Sequence, residues 1–246
     1  VPATRMTDRL RLLDAIDGKA RKMDVDGSMN AMDRFNEQAF SILTSGKFAD
    51  AMDLDKVSAS ELKHYTPPTP KKIEKFYTSE DGNAAKKLLL ARRLIEVGVR
   101  CVSVSFSDFD THSKNFPRMR QLLPVVDHAL HALITDLDQR GMLNDVSIVV
   151  WGEFGRTPRI NKKGGRDHWP AVGPAMLIGG GIKSGLVLGK TDRTASRVVS
   201  RPITYQDVFA TLYHNLGIDL SRTTITDTSG RPQHLLTKAE PIRELV

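Results

Sequence analysis

The chain contains a single cysteine, Cys101, among its 246 residues. One cysteine cannot close an internal disulfide bond or supply a zinc site built from several thiolates. Cys101 stands in an apolar stretch typical of a strand, so we expect its thiol to be buried and unreactive. The lack of disulfides does not identify the cellular compartment of the protein, because proteins without disulfides occur in every compartment.

The sequence also lacks any apolar run near the roughly 20 residues that a membrane-spanning helix requires. Its first residues, VPATRMTDRL, contain no apolar core of the kind found in a secretory signal peptide. The chain begins with Val and enters a helical pattern at once, so we expect it to be a piece of a longer precursor. We expect neither a membrane span nor an export signal within it.

Acidic residues are outnumbered by basic ones. The 36 Lys and Arg exceed the 29 Asp and Glu, which gives a formal net charge of +7. This balance favours an anionic partner, such as nucleic acid, an acidic polysaccharide, or a phosphate or sulfate ester. A solvated basic surface explains the same charge. Apart from the charge, little in the sequence favours binding of nucleic acid. The composition, 40% hydrophobic and 26% charged, is that of an ordinary globular protein.

A proline-rich stretch, TPPTPKK at 66–72, divides the chain. Each proline removes an amide donor and disfavours helix in the residue before it, so we predict a linker over 66–82. Residues 1–65 before it show helical hydrophobic spacing. Residues 83–246 after it alternate helices and strands, which predicts an α/β core with a largely parallel sheet flanked by helices.

The elements predicted for this core follow from hydrophobic spacing and from glycine stops. They are helices over 83–98, 117–140 and 204–217, and strands over 99–106, 146–151, 175–181 and 186–189. For the long helix we predict an apolar face of Leu123, Val126, Leu130, Leu133 and Leu137, with Gly141 as its cap. The strand over 146–151 is almost continuously apolar, as in a central parallel strand.

Polar residues follow two of the predicted strands. Asp110 and His112 come after the strand over 99–106, and Glu153 comes after the strand over 146–151. Parallel strands end at the same edge of a sheet and lie roughly 4.8 Å apart. We therefore predict that Asp110, His112 and Glu153 share one cation.

A glycine-containing loop adds Asp167 and His168, for which we also predict metal binding. Carboxylates with imidazoles and no thiolates suit Zn, Mn or Fe(II), whereas oxygen donors alone suit Mg or Ca. We expect divalent ions, with Zn preferred and Mn, Fe, Ca or Mg as alternatives. Two ions would stabilise an attacking and a leaving oxygen together.

Basic residues precede Asp167 in the same loop, and arginine forks match phosphate or sulfate oxygens. We predict Arg156 and Arg166 as contacts to a substrate anion. Each motif alone also has an ordinary explanation. An acid after a strand often caps a helix, Glu153 could pair with Arg156 across a turn, and Asp167 and His168 could belong to a surface loop.

The motifs ARRLIEVGVRCVSVSF, DTH, GEFGRTPRI, GRDHWP and GGGIKSG together resemble the bacterial family known as domain of unknown function 1501. The resemblance covers 83–246, and 1–65 looks like a helical insertion before that core. The family looks like a branch of the alkaline phosphatase and sulfatase superfamily. Such a relationship implies metals at the sheet edge, hydrolysis of phosphate or sulfate esters, and a place in the periplasm or outside the cell.

Within that resemblance, Asp110, His112 and His168 match metal ligands by role and order. Glu153 departs from the usual Asp-His pair, and no segment matches the superfamily's nucleophile. The sequence thus predicts a metal-dependent hydrolase of anionic small-molecule or polysaccharide esters. The alternative is a non-catalytic protein that uses the same fold to bind acidic glycans.

Overall fold

The computed structural model describes residues 46–68, 83–237 and 239–246, together with short stretches between residues 5 and 41. These residues form two compact units. The first contains the described part of 1–66 together with 86–105, and the second contains the described part of 67–85 together with 106–246. The predicted division at 1–65, 66–82 and 83–246 stays a prediction, and 69–82 of its linker lies outside the described residues.

The first unit is helical wherever regular structure is described. Residues 5, 7–9, 11, 35–37 and 39–41 are helical, in keeping with the pattern over 1–65. The continuous elements are α1 (Gly46–Met52), a 3₁₀ turn (Leu54–Lys56), α2 (Ala59–His64) and α3 (Lys86–Glu96). The side chain of Ser58 starts α2 by accepting a hydrogen bond from the amide of Glu61.

Two arginines of α3 connect it to the rest of this unit. The Arg92 side chain is buried and donates to Glu61 and to Glu96, so its charge is paired on both sides. The neighbouring Arg93 donates through Nε to the carbonyl oxygen of Ala51 at the end of α1, over 2.9 Å. These contacts tie α1, α2 and α3 together.

Residues 99–110 run without helix or strand. Side chains from 101 to 106 nevertheless alternate between exposed and half-buried, which is the period of two that predicts a strand. The strand prediction over 99–106 is wrong for this structure, since a strand also needs a hydrogen-bonded partner and none pairs with it in the described chain. Cys101, expected to be buried, is exposed.

The second unit contains two helices and eight strands among its described residues. The helices are α4 (Asn115–Gln139) and α5 (Tyr205–Asn215). The strands are β1 (Ser147–Trp151), β2 (Gly155–Arg156), β3 (His168–Trp169), β4 (Ala175–Gly179), β5 (Lys190–Thr191), β6 (Val198–Ser200), β7 (Thr224–Thr226) and β8 (Pro232–His234). The predicted strand at 186–189 falls just before β5.

The strands pair antiparallel, as β1 with β4, β2 with β3, β5 with β6, and β7 with β8. In the longest pair, Ser147 lies opposite Gly179 and Trp151 opposite Ala175. The prediction that 146–151 and 175–181 are strands is confirmed to within two residues at either end. All four strand pairs in the described residues are short and antiparallel. The largely parallel α/β sheet stays a prediction.

One face of the β1–β4 pair packs on a small core beneath α5. Val208 of α5 meets Ile242 and Leu245 there, and Val149 and Leu177 of the two strands pack against them. Helix α5 starts with a reciprocal cap, in which Thr204 and Asp207 each satisfy the other's backbone amide. The strand that leads to Glu153 therefore rests on a packed support.

Helix α4 ends close to its predicted limits, and Gly141 follows it with φ of +68°, a conformation that stops helices. Its predicted apolar face is partly wrong. Leu133 and Leu137 are buried, but Leu123 is exposed and Leu122 is buried instead. In the described parts of the chain, no helix combines the length and the apolar character that crossing a membrane would require.

Candidate metal centre

The candidate site is built on a short hairpin of β2 and β3. Arg156 of β2 lies opposite His168 of β3, and Gly155 lies opposite Trp169. The loop between the strands is closed by a main-chain bond from the Thr157 amide to the Asp167 carbonyl, at 2.9 Å. The hairpin therefore places the Asp-His pair beside Arg156.

The same loop folds back against the segment that carries Asp110 and His112. Ser113 and Gly164 form an isolated antiparallel bridge. The Arg166 amide donates to the carbonyl of Thr111 at 2.8 Å, and the Asn115 amide donates to the carbonyl of Gly164 at 2.9 Å. This backbone pairing, rather than two parallel strand ends, brings the predicted ligands together.

Gly165 is required by the closeness of this pairing. A Cβ atom on Gly165 would lie 2.1 to 2.3 Å from backbone atoms of His112 and Ser113. Heavy atoms do not approach so closely, so any side chain here would force the loop away from His112. Gly165 thus allows the loop to fold back against His112 and Ser113.

Three side chains converge at the centre of the site: Asp110, His112 and His168. Oδ1 of Asp110 lies 3.0 Å from Nε2 of His112 and 3.1 Å from Nε2 of His168. The two Nε2 atoms are 3.2 Å apart. The three atoms form a nearly equilateral triangle that is about half exposed to solvent.

The dimensions of this triangle fit a small divalent ion. A tetrahedral zinc ion with ligands at roughly 2.0–2.1 Å holds them about 3.3 Å apart, and an octahedral ion of that radius holds neighbouring ligands about 3.0 Å apart. The edges of 3.0 to 3.2 Å fall between the octahedral and the tetrahedral value. One carboxylate oxygen and two imidazole nitrogens are donors that suit Zn, Mn or Fe(II).

Asp167 contacts the other side of the His112 ring. Its Oδ1 lies 2.9 Å from Nδ1 of His112, so the carboxylate accepts the Nδ1 proton and leaves Nε2 with its lone pair for the triangle. The hydrogen bond from His112, followed by one from Asn161, lowers the pKa of the Asp167 carboxyl below its ordinary value. Asp167 therefore lies outside the triangle, on the Nδ1 side of His112, and its predicted metal contact stays a prediction.

Arg156 joins Asp110 to Glu153. Its NH1 donates to Oδ1 of Asp110 at 2.5 Å and its NH2 lies 3.2 Å from Oε1 of Glu153. The guanidinium, followed by His168, lowers the pKa of the Asp110 carboxyl below its ordinary value. Glu153 thus reaches the site through Arg156 and lies outside the three-residue cluster, and its predicted metal contact stays a prediction.

Arg166 makes contacts of a different kind. Its NH1 donates to the carbonyl oxygens of Thr157 and Pro158 at 2.6 and 2.8 Å. Its guanidinium lies over the ring of Phe116, 5.9 Å from the centroid. These bonds favour a role in holding the loop, and the predicted anion contact of Arg166 stays a prediction.

Sequence reasoning missed three residues that shape the site. Asn161 bonds both to Asp167 and to the main chain of His112. The Phe154 ring packs 4.4 Å from the His168 ring, and the Tyr205 hydroxyl donates to the carbonyl of Glu153 at 2.8 Å. An asparagine before a glycine pair signals a turn, but no sequence signal links Phe154 or Tyr205 to the ligands.

Asp108, whose role the sequence leaves undecided, lies outside the three-residue cluster. Its φ is +68°, and the residue that caps α4 is Lys114. Asp108 therefore neither joins the triangle nor supplies the helix cap.

In its described parts, the chain is a protein of helices and short antiparallel sheets that brings together Asp110, His112 and His168, a group that could hold a metal ion. Residues 1–246 match the sequence model of a family described as Protein of unknown function (DUF1501), and the chain belongs to this family. The match confirms the family resemblance and extends it to residues 1–82. No curated protein and no solved structure matches the chain.

Proposed function

We propose that this DUF1501 protein is a metal-dependent hydrolase of phosphate or sulfate esters, related to alkaline phosphatases and sulfatases. The observation that carries the proposal is the convergence of Asp110 Oδ1 with the Nε2 atoms of His112 and His168. Their spacing of 3.0 to 3.2 Å suits one small divalent ion.

The donor set favours zinc among such ions, with Mn or Fe as alternatives. Two imidazoles bind these metals well, whereas Ca and Mg prefer sites made of oxygen atoms. Three protein ligands at a solvent-open position are also the arrangement of catalytic zinc sites, which keep a coordination position for water or substrate. Asp110, His112 and His168 would hold the ion.

A cationic group beside the triangle supports an anionic substrate. Arg156 presents a planar fork next to Asp110, and such forks bind phosphate and sulfate oxygens through paired hydrogen bonds. The formal net charge of +7 adds a general attraction for anions. The proposed substrates are small-molecule or polysaccharide esters that carry phosphate or sulfate.

In the proposed reaction, water is added across the ester, and an alcohol and inorganic phosphate or sulfate are released. A bound divalent ion supplies a Lewis acid for oxygen atoms of the ester. Asp167 holds His112 in the tautomer that binds metal, and Arg156 neutralises charge that develops on the transferred group. The hydroxyls of Thr111 and Thr157 form hydrogen bonds within the protein, and we nominate neither as a nucleophile.

The place of action belongs to the proposal as well. Relatives in the alkaline phosphatase and sulfatase superfamily include many exported enzymes, and by this resemblance we place the protein in the periplasm or outside the cell.

The test combines metal analysis with turnover of p-nitrophenyl phosphate and p-nitrophenyl sulfate. We expect zinc to bind in stoichiometric amount to the protein, and His112→Ala and His168→Ala to lose both metal and turnover. His131→Ala is the matched control, because His131 is exposed on α4 and lies outside the cluster. A protein that stays metal-free, with histidine variants that behave like the control, would overturn the proposal.

A second outcome would favour the alternative function. If zinc binds and neither ester is hydrolysed, while a sulfated polysaccharide such as heparin binds in an Arg156-dependent manner, the protein is a glycan-binding module. Binding of duplex DNA with a steep salt dependence would instead point to nucleic acid.

A further inference from the structure

One loop residue, Asn161, contacts both partners of the Asp167–His112 pair. Its Nδ2 donates to Oδ1 of Asp167 at 3.1 Å and to the carbonyl oxygen of His112 at 3.0 Å. Oδ1 of Asp167 is the same atom that accepts the proton of His112 Nδ1. A single amide group therefore connects the carboxylate with the backbone of the imidazole that it orients.

The other end of this amide is anchored to the loop. Oδ1 of Asn161 accepts from the backbone amides of Lys163 and Gly165, at 2.9 and 3.0 Å. The backbone of Asn161 adds a bond from its amide to the Gly165 carbonyl. These loop contacts hold the amide in position independently of its contact with Asp167.

The orientation of the amide is unambiguous, because each end meets partners of one kind. Two oxygen atoms require a donor at Nδ2, and two N–H groups require an acceptor at Oδ1. All four polar contacts of the side chain are therefore complementary. A flipped amide would place oxygen against the Asp167 carboxylate and lose every one of them.

We propose that Asn161 is a positioning residue of the metal site, which holds the Asp167 carboxylate on His112 Nδ1 and so keeps His112 Nε2 available for a divalent ion. The role of Asn161 in metal binding rests on the proposed metal site. The hydrogen bonds that join Asn161, Asp167 and His112 are present without metal. Groups that hold a metal-binding side chain in place by hydrogen bonds typically change metal affinity 10- to 100-fold when they are mutated.

Two substitutions separate the two ends of the amide. Asn161→Ala removes both ends, whereas Asn161→Asp keeps the acceptor for Lys163 and Gly165 and removes the donor to Asp167. The new carboxylate would face Oδ1 of Asp167 and repel it. Asn161→Asp therefore tests whether Asn161 positions Asp167 while the hydrogen bonds within the loop are kept. It remains informative if the alanine variant fails to fold.

The matched control is Thr157→Val, which keeps the shape of the side chain. The Thr157 hydroxyl bonds to the Asp167 amide at 3.0 Å and to the Arg159 carbonyl at 2.8 Å, so it supports the same loop without touching an imidazole or a carboxylate. Any effect of a merely loosened loop should appear in this variant as well.

The first readout is the tautomer of His112 in metal-free protein, from its ring nitrogen chemical shifts, in an Asp110→Ala background that removes the carboxylate lying 3.0 Å from Nε2. We expect one tautomer with the proton on Nδ1 in the parent protein and in Thr157→Val, and a mixture in both Asn161 variants. The second readout is zinc titration calorimetry, in which we expect the dissociation constant to rise roughly 10-fold in Asn161→Ala but not in Thr157→Val.

The inference is overturned if His112 keeps the parent tautomer in both Asn161 variants, or if Thr157→Val weakens zinc binding as much as Asn161→Ala does. Neither readout uses ester turnover. A protein that hydrolyses no ester but shows these shifts would therefore disprove the proposed reaction and leave the role of Asn161 standing.

Discussion

Nδ1 of His112 and Oδ1 of Asp167 lie 2.9 Å apart, on the side of the imidazole opposite the candidate metal position. The carboxylate accepts a proton from only one nitrogen and so selects one tautomer of the ring. For this reason we expect Asp167→Asn to weaken zinc binding roughly 10-fold, since an amide can face Nδ1 with either oxygen or NH₂. Zinc titration calorimetry measures the change.

Asp219→Asn is the control for this variant, because Asp219 accepts bonds from Ser221 in a turn and lies outside the cluster. It should bind zinc like the parent protein. Equal zinc affinity in Asp167→Asn and the parent would show that the carboxylate does not orient His112.

The two candidate anion contacts should behave differently, beginning with Arg156. Its two terminal nitrogens contact Asp110 and Glu153, and a lysine ammonium cannot reproduce this fork. We expect Arg156→Lys to retain zinc while kcat/KM for p-nitrophenyl phosphate falls about 10-fold and inhibition by inorganic phosphate weakens. Arg197→Lys, at an exposed position, is the control, and unchanged phosphate inhibition in Arg156→Lys would contradict the assignment.

Arg166 should affect stability instead. Loss of its NH1 leaves the carbonyls of Thr157 and Pro158 without this donor. At about 1 kcal/mol for each of these two net hydrogen bonds, we expect Arg166→Ala to lower Tm by about 4–8 °C. Thermal unfolding followed by circular dichroism measures this shift. If Arg166→Ala instead abolishes phosphate inhibition at unchanged Tm, the sequence-based prediction of an anion contact is correct.

Local signals explain which parts of the fold could be predicted from sequence. Gly98 and Gly141, which follow α3 and α4, have positive φ, and Thr204 caps the start of α5. A few neighbouring residues therefore determine where these helices begin or end. The buried face of α4 and the partner of each strand depend on distant residues. Periodicity correctly marks an extended pattern over 101–106 but cannot state that a second strand is present to pair with it.

The site shows the same limit at the level of single contacts. Residue chemistry and chain order single out Asp110, His112, Glu153, Asp167 and His168 as candidate ligands, because mixed carboxylate and imidazole donors suit metal ions in any fold. The structure brings three of them, Asp110, His112 and His168, into one cluster. The route that brings them together is a hairpin and a backbone bridge between Ser113 and Gly164, which no spacing rule predicts. Asn161 acquires its role only from that loop geometry.

Gly165 offers a steric test of this route. A methyl group at Gly165 overlaps backbone atoms of His112, whereas one at Gly152 meets its nearest atom at 3.9 Å. We expect Gly165→Ala to lower the free energy of unfolding by about 1–3 kcal/mol and to weaken zinc binding, and Gly152→Ala to stay within about 0.5 kcal/mol of the parent. Denaturant unfolding measures both, and equal stability of the two variants would contradict the observed fold-back.

The ion pair between Arg201 and Glu244 leads to a prediction about acid stability. Both guanidinium contacts measure 2.7 Å, and the hydrogen bonds from Arg201 lower the pKa of the Glu244 carboxyl to about 2. Because the folded pKa lies below the unfolded value of about 4.3, the carboxylate stabilises the fold above that value, and the contribution is lost as the pH falls towards about 2. Glu244→Gln should therefore reduce the pH dependence of the unfolding free energy between about pH 4.3 and about pH 2. Below about pH 2 the variant and the parent protein should show the same pH dependence. Glu240→Gln, whose partner Arg243 is highly exposed, is the control. A carboxyl carbon titration by NMR that places Glu244 near its ordinary pKa would contradict the pairing.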